Sequence, residues 1–143
     1  MQRLLIQGCS EAKLATPKAP IWAIDRYDGP FFRVIRKWSR ETDDGNTQIL
    51  ILSGKFGLID SKTRIPYYDL RLTQDVAKAM CEAVMRQYRA LARGRAYESA
   101  FVNVGRDYHP ALAKISELRN AEFASGGIGM RAKQLKLWLV KGK

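Results

Sequence analysis

Cys9, Ser10 and Lys13 stand just beyond the apolar run Leu4-Leu5-Ile6, placing a thiol, a hydroxyl and an ammonium at one strand end. A cysteine beside a lysine or a helix amino terminus gives up its proton more readily, which nucleophilic chemistry requires. The same cysteine also fits the role of a small, inert residue closing a strand, and both readings stay open. Ser10 can cap the next turn or donate to an anion. Lys55, inside Ser53-Gly54-Lys55-Phe56-Gly57, can meet a phosphate or carboxylate as a point charge, or lie in solvent. Asp69, in Pro66-Tyr67-Tyr68-Asp69, suits a general base or a carboxylate that holds a hydroxyl, with the tyrosines as a stacking wall. Those tyrosines suit the packed edge of a sheet equally well. Cys9, Lys55 and Asp69 are the candidate catalytic residues.

Ser10, Lys13, Ser53, Gly57, Tyr68, Arg106 and Gly127 are the candidate ligand-binding residues. Arg106 comes from Gly105-Arg106-Asp107-Tyr108-His109, and Gly127 from Ser125-Gly126-Gly127-Ile128-Gly129. The unhindered amides of the second segment precede a helix and can cradle an anion. It lacks the Gly-Lys-Ser/Thr ending of a P-loop, and no Gly-x-Gly-x-x-Gly follows the first strand. His109, the single histidine, can exchange a proton near neutral pH or simply occupy a helix entrance before Pro110. One histidine and two distant cysteines make no usual zinc set, so neither a metal nor a cofactor is expected.

Such residues act together only if the fold gathers them. The apolar runs at 3–7, 48–53 and 99–104 read as strands, and the second is continuous, as in a strand covered on both faces. Pro30 can open a helix that sets Phe31, Val34, Ile35 and Trp38 on one face and Arg33, Arg36, Lys37 and Arg40 mostly on the other. The clearest helical pattern covers 74–93, with Thr73 as its cap, Gly94 at its end, and Val76, Ala77, Met80, Cys81, Val84, Tyr88 and Leu91 inward. A shorter helix follows Asp107 with Leu112, Ile115 and Leu118 inward, and a last one begins near Gly129 and carries Leu135, Trp138 and Leu139. Asp43-Asp44-Gly45-Asn46 reads as a turn. Strands alternating with helices predict an α/β fold: a three-layer sandwich with a mostly parallel sheet of three to five strands and helices on both faces, in one domain over residues 1–143. Ligands of such sheets bind beyond the carboxyl ends of the strands. The loops at Cys9, Lys55 and Arg106 then share one edge.

With 25 Lys and Arg against 14 Asp and Glu, the formal charge is +11, a field attractive to nucleic acid, nucleotides or acidic lipid. The same charge also fits basic residues spread over solvated helix faces for solubility. A hydrophobic share of 46% with three Trp, six Tyr and five Phe excludes a disordered basic tail. No apolar run approaches the roughly 20 residues that span a bilayer. The start, Met1 to Gln7, is far too short to read as a secretory leader and no small-residue cleavage pattern follows it, and two cysteines make no disulfide framework. A cytoplasmic protein without membrane attachment is the expectation.

Gly8-Cys9-Ser10 with Lys13, Ala19-Pro20-Ile21-Trp22 with Tyr27 and Phe31-Phe32, Ile51-Leu52-Ser53-Gly54-Lys55-Phe56-Gly57-Leu58-Ile59, and Pro66-Tyr67-Tyr68-Asp69 occur in that order. The series resembles a bacterial and phage family labelled as like the peroxide-stress protein YaaA. That family's pattern has Cys-Ser-x-x-Lys, Ala-Pro-Ala with a Tyr, Leu-Ser-Ala-Lys-His-Gly-Leu and Pro-Tyr-Asp. Its Gly-rich stretch and Trp-Leu pair near the end are matched here by Gly126 to Gly129 and Trp138-Leu139. Phe56 stands where His is common, which removes an acid–base histidine from that loop, and Gly54 replaces the usual Ala. The resemblance implies an α/β fold with Cys9, Ser10, Lys13, Ser53, Lys55, Tyr68 and Asp69 around one cleft. It also implies a link to nucleic-acid binding and oxidative stress, and similar Cys-Ser and Lys loops occur in the core of tRNA archaeosine synthase.

Two main readings follow. One is a nucleic-acid-associated protein with an anion-accepting cleft at the strand ends. The other is an enzyme on a nucleobase, nucleoside or nucleotide, of the glycosidase or base-transferase type. In it Lys55 and the glycine loops hold an anionic portion, Asp69 engages a hydroxyl or acts as base, and Cys9 is nucleophile or pocket wall. Nucleic acid or a nucleotide-like anion is the expected partner in both. A module that binds an acidic protein is a third reading.

Overall fold

Leu4, Leu5 and Ile6 are all buried, as a continuous apolar run demands of a strand covered on both faces. The computed structural model describes residues 2–42, 45–70 and 73–141. Its first elements are β1 (Gln2–Gly8), β2 (Ile21–Trp22), α1 (Ala23–Arg26), α2 (Pro30–Thr42), β3 (Thr47–Ser53), β4 (Gly57–Asp60) and β5 (Arg64–Ile65). Next come α3 (Gln74–Ala79), α4 (Cys81–Leu91), β6 (Tyr97–Asn103), two 3₁₀ segments (Arg106–Leu112 and Ser116–Asn120), β7 (Glu122–Phe123) and α5 (Ile128–Val140).

The main sheet has five strands in the order β4-β3-β1-β6-β7. β1 pairs in parallel with β3 and β6, and β7 in parallel with β6. β4 runs antiparallel to β3, folded back through the turn at 54–56. The fold is α/β with a mixed, mostly parallel sheet. β2 and β5 form a separate antiparallel ribbon.

Parallel register puts side chains in rows. Leu5 lies opposite Ile49 and Phe101 and clusters with Ile35 and Trp38 of α2 and with Leu135, Trp138 and Leu139 of α5. Leu4, Ile6, Leu50, Leu52 and Val102 instead cluster with Ala77 of α3 and with Val84 and Tyr88 of α4. Full burial of each Leu or Ile contributes about 1.5–3 kcal/mol, so both clusters hold the sheet. Arg3 also serves the core: its guanidinium sits 3.8 Å over the Trp138 ring and donates to the carbonyls of Trp138 and Leu139 near the end of α5.

A third cluster, built on Ala23, Tyr27, Phe32, Ile51, Ile65 and Tyr68, adjoins the strand ends. Beside it the fully buried Arg26 donates to the carbonyls of Leu14 (2.9 Å), Pro17 (2.8 Å), Ala19 (2.8 Å) and Ile65 (3.3 Å). Backbone bonds from Leu14 to Arg26 and from Asp28 to Ala12, both 2.8 Å, zip the same loop to the turn before α2. Lys13 therefore occupies a fixed place opposite Tyr27.

Several expectations need correction. The helix expected over 74–93 is divided at Met80, which takes φ −90° and ψ 1°. Bonds from Met80 to Val76 (3.0 Å) and from Val84 to Met80 (2.9 Å) bridge the break. Thr73 does cap it, accepting from the Val76 amide at 3.3 Å. After Asp107 the chain winds as 3₁₀ segments rather than an α-helix, with Pro110 supplying no N–H inside the first. Leu112, Ile115 and Leu118 are nonetheless buried. Arg36 is not solvated: it donates to the carbonyls of Ile24 (2.9 Å) and Tyr27 (2.7 Å) and pairs with Asp28 at 2.8 Å. Of the turn at 43–46, Asp43 and Asp44 lie outside the described residues.

Candidate functional site

Because β1, β3 and β6 are parallel, their carboxyl ends lie on one edge: Gly8 is level with Leu52, and Gln7 with Asn103. From β1 the chain passes first to β3 on one side and later to β6 on the other. The connections thus diverge between β1 and β6, and a crevice opens where they part. A cleft of about 560 Å³ lies there, lined by Gly8 at the end of β1 with Cys9, Ser10 and Lys13 beyond it, and by Asn103 at the end of β6 with Gly105 and Tyr108 beyond it. Gly29 just before α2, Pro30 and Phe31 at its start, Glu11, Asp69, and Ile128 and Arg131 of α5 also line it.

The floor is a chain of amides. Asn103 is fully buried and donates from Nδ2 to Gln7 Oε1 at 3.0 Å, and Gln7 donates from Nε2 to the Gly8 carbonyl at 3.2 Å. Arg131, half-buried, donates its Nε–H to Asn103 Oδ1 at 3.0 Å and lays its guanidinium 4.8 Å from the Phe31 ring centre. Burial holds the Arg131 pKa below its ordinary value. Among the described residues no carboxylate pairs with it, and its terminal N–H groups have no protein acceptor.

Two helices of 13 residues begin at the cleft, and neither has an acidic residue in its first turn. Their amino ends add partial positive charge to that of Arg131 and Lys13. Gly29 is required by close packing, since a Cβ there falls 2.9 Å from Cβ of Ser10. The Ser10 hydroxyl donates to the Ala12 carbonyl at 2.7 Å, which shapes its own loop.

Behind Cys9 lies a phenol cluster. The hydroxyls of Tyr27 and Tyr68 are hydrogen-bonded, and Ser53 Oγ is 3.0 Å from that of Tyr68. Burial pushes both phenols above their ordinary range. Lys13 Nζ sits 4.7 Å and Lys55 Nζ 5.7 Å from the centre of the Tyr68 ring. Burial also raises the Cys9 thiol, opposed by the Gly54 amide and by Lys13. The net shift favours the protonated thiol, and Cys9 forms part of the cleft wall.

The structure therefore brings Cys9, Ser10, Lys13 and Asp69 to one cleft. It sets Ser53 and Tyr68 just behind, with Lys55 beside the Tyr68 ring and Gly127 as the residue before α5. Arg106 is exposed and lines no part of the cleft, and Gly57 packs elsewhere, against Gln87. Tyr67 is exposed and Tyr68 buried, so the pair does not form one stacking wall. His109 is occupied by the Val104 carbonyl at 2.9 Å and by the edge of Phe123. Sequence reasoning missed Gln7 and Asn103, whose one signal was a polar side chain at the end of an apolar run, and Arg131, one of several basic residues in the last helix. Among the described residues no three His, Cys, Asp or Glu side chains form a group able to hold a metal, and no helix is long and apolar enough to cross a membrane.

No curated protein matches this chain. The elements that build the cleft, from Leu4 in β1 to Val140 at the end of α5, coincide with the span of one family model, which matches residues 4–140. The chain belongs to that family, DUF6884, a family of unknown function.

Proposed function

We propose that the crevice beyond β1 and β6 binds a nucleoside or nucleotide-like ligand, with its anionic part toward Arg131 and the amino ends of α2 and α5. The carrying observation is Arg131 itself: a half-buried cation with no carboxylate partner among the described residues, in a cleft of about 560 Å³. That volume is of the size that holds small organic ligands. Phe31 and Tyr108 offer aromatic surface for a base, and Asp69 offers a carboxylate for a sugar hydroxyl or for proton abstraction. Read as a three-layer sandwich, the fold is one in which ligands use this strand-end position.

The formal charge of +11 supports a second reading, association with nucleic acid, and the YaaA-like resemblance points the same way. Its affinity then falls steeply with salt as phosphates release counterions.

Thermal unfolding with the four ribonucleoside 5′-monophosphates, their nucleosides and a short oligonucleotide tests both readings. Saturating ligand raises the Tm by several degrees in a chain of this size. A gain with at least one mononucleotide that is lost in Arg131→Met, or a gain with at least one nucleoside, supports the cleft reading. Stabilisation by the oligonucleotide alone, unaffected by Arg131→Met, supports only the second. No gain with any of them overturns both.

A further inference from the structure

We infer that Asn103 is a positioning residue whose neutrality makes the cleft select ligands by charge: it fixes Arg131 without neutralising it, so the ligand must supply the counter-charge as a phosphate or carboxylate. The inference rests on the cleft reading above and narrows it from nucleosides in general to anionic ones.

The polarity of the floor follows from its chemistry. Arg131 Nε can only donate, so Asn103 Oδ1 accepts; the Asn103 amide nitrogen then donates to Gln7, whose own nitrogen donates to the Gly8 carbonyl. Each link beneath the guanidinium is neutral. Asn103 and Gln7 are 0% and 1% exposed, so the amides cannot swing away to water. Holding Nε fixes the guanidinium plane, with Phe31 against it at 4.8 Å, and leaves the two terminal amino groups as a fork for two oxygens.

An aspartate at position 103 would hold the same nitrogen more strongly, but it would cancel the charge. Glu11 and Asp69 also line the cleft, and neither pairs with Arg131. Lys13 adds a second cation to the same walls. An amide under an arginine that has no acidic partner among the described residues suits an anion arriving from outside.

The test is calorimetric binding to the full chain of the four ribonucleoside 5′-monophosphates and the matching nucleosides at fixed ionic strength. At least one nucleotide should bind about tenfold or more tightly than its nucleoside. Asn103→Asp, nearly equal in size, should remove most of that difference while leaving nucleoside affinity in place; a merely structural role would weaken both together. Should Asn103→Asp fail to fold, Arg131→Gln at its half-buried position must show the same selective loss. Equal affinity for nucleotide and nucleoside, or nucleotide binding undiminished in the variants, overturns the inference and leaves the cleft reading standing. Absence of binding by every probe overturns both.

Discussion

Ser53 Oγ lies 3.0 Å from the Tyr68 hydroxyl while accepting the amide N–H groups of Lys55 (3.2 Å) and Phe56 (3.1 Å). With its lone pairs occupied by those amides, the serine proton is directed at Tyr68. The end of β3, the 54–56 turn and the phenol cluster behind Cys9 are thereby one hydrogen-bonded unit. Ser53→Ala removes three interactions at a site 0% exposed. It should lower stability by about 1–3 kcal/mol in urea unfolding, because Tyr68 loses a buried partner. A change indistinguishable from zero would show that the turn holds without the hydroxyl.

Gly57 opens β4 at the β3–β4 hairpin, packed against Gln87 and outside the lining of the cleft. Its φ of +76° lies in the left-handed region, and a Cβ there would collide with the Gln87 side-chain amide. Gln87 cannot yield freely, because it accepts from the Leu58 amide at 2.8 Å and donates to the Phe56 carbonyl at 3.1 Å. Gly57→Ala should destabilise by about 1–3 kcal/mol, combining backbone strain with a broken side-chain clamp. Adding Gln87→Ala relieves the clash but not the strain, so the double variant should remain less stable than Gln87→Ala alone. Equal stability of those two would remove the strain argument.

Much of this arrangement was legible in the chain and some was not, for physical reasons. Apolar runs ending in glycine located β1, β3 and β6, and strand–helix alternation implied their parallel pairing. Cys9, Ser10 and Lys13 could be assigned to the strand edge because each follows β1 directly. Which loop faces the crevice depends on β1 being central, a non-local fact that no window of sequence contains. That is why Lys55 and Arg106 follow strand ends yet line no part of the cleft. β4 is four residues long and folds back on β3, too short a run to announce itself. Arg131 reads as one more charge in a basic tail, since a solvated and a half-buried arginine look alike until the buried Asn103 is placed beside it.

Tyr88 gives the fold an alkaline limit. It is 4% exposed, and burial first, then Glu117 and Tyr97, pushes its hydroxyl up to about 12. A tyrosine in the unfolded chain ionises near about 10. Between these values the folded chain keeps a proton that the unfolded chain has lost, so stability falls as pH rises. The contribution is complete below about pH 10 and lost on the way to about pH 12. Tyr27 and Tyr68 are shifted in the same direction and steepen the decline. Urea unfolding at intervals from neutral pH to about 12 should show a shallower decline in Tyr88→Phe than in the parent. An identical slope would assign the alkaline loss to other groups.

Cys9 should behave as a sheltered thiol. Burial raises its pKa, and the Gly54 amide and Lys13 only partly offset this. In a Cys81→Ala background, its alkylation by iodoacetamide at neutral pH should be slower than that of a free cysteine and should accelerate only in the alkaline range. Lys13→Met removes one of the influences that favour the thiolate, so it should slow the reaction further. Because Cys9 lines the cleft, a bound mononucleotide should protect it, which links thiol chemistry to occupancy of the site. Faster alkylation than the free amino acid at neutral pH would instead mean that Cys9 is ionised in the folded chain. It would then regain the nucleophilic role that its place after β1 first suggested.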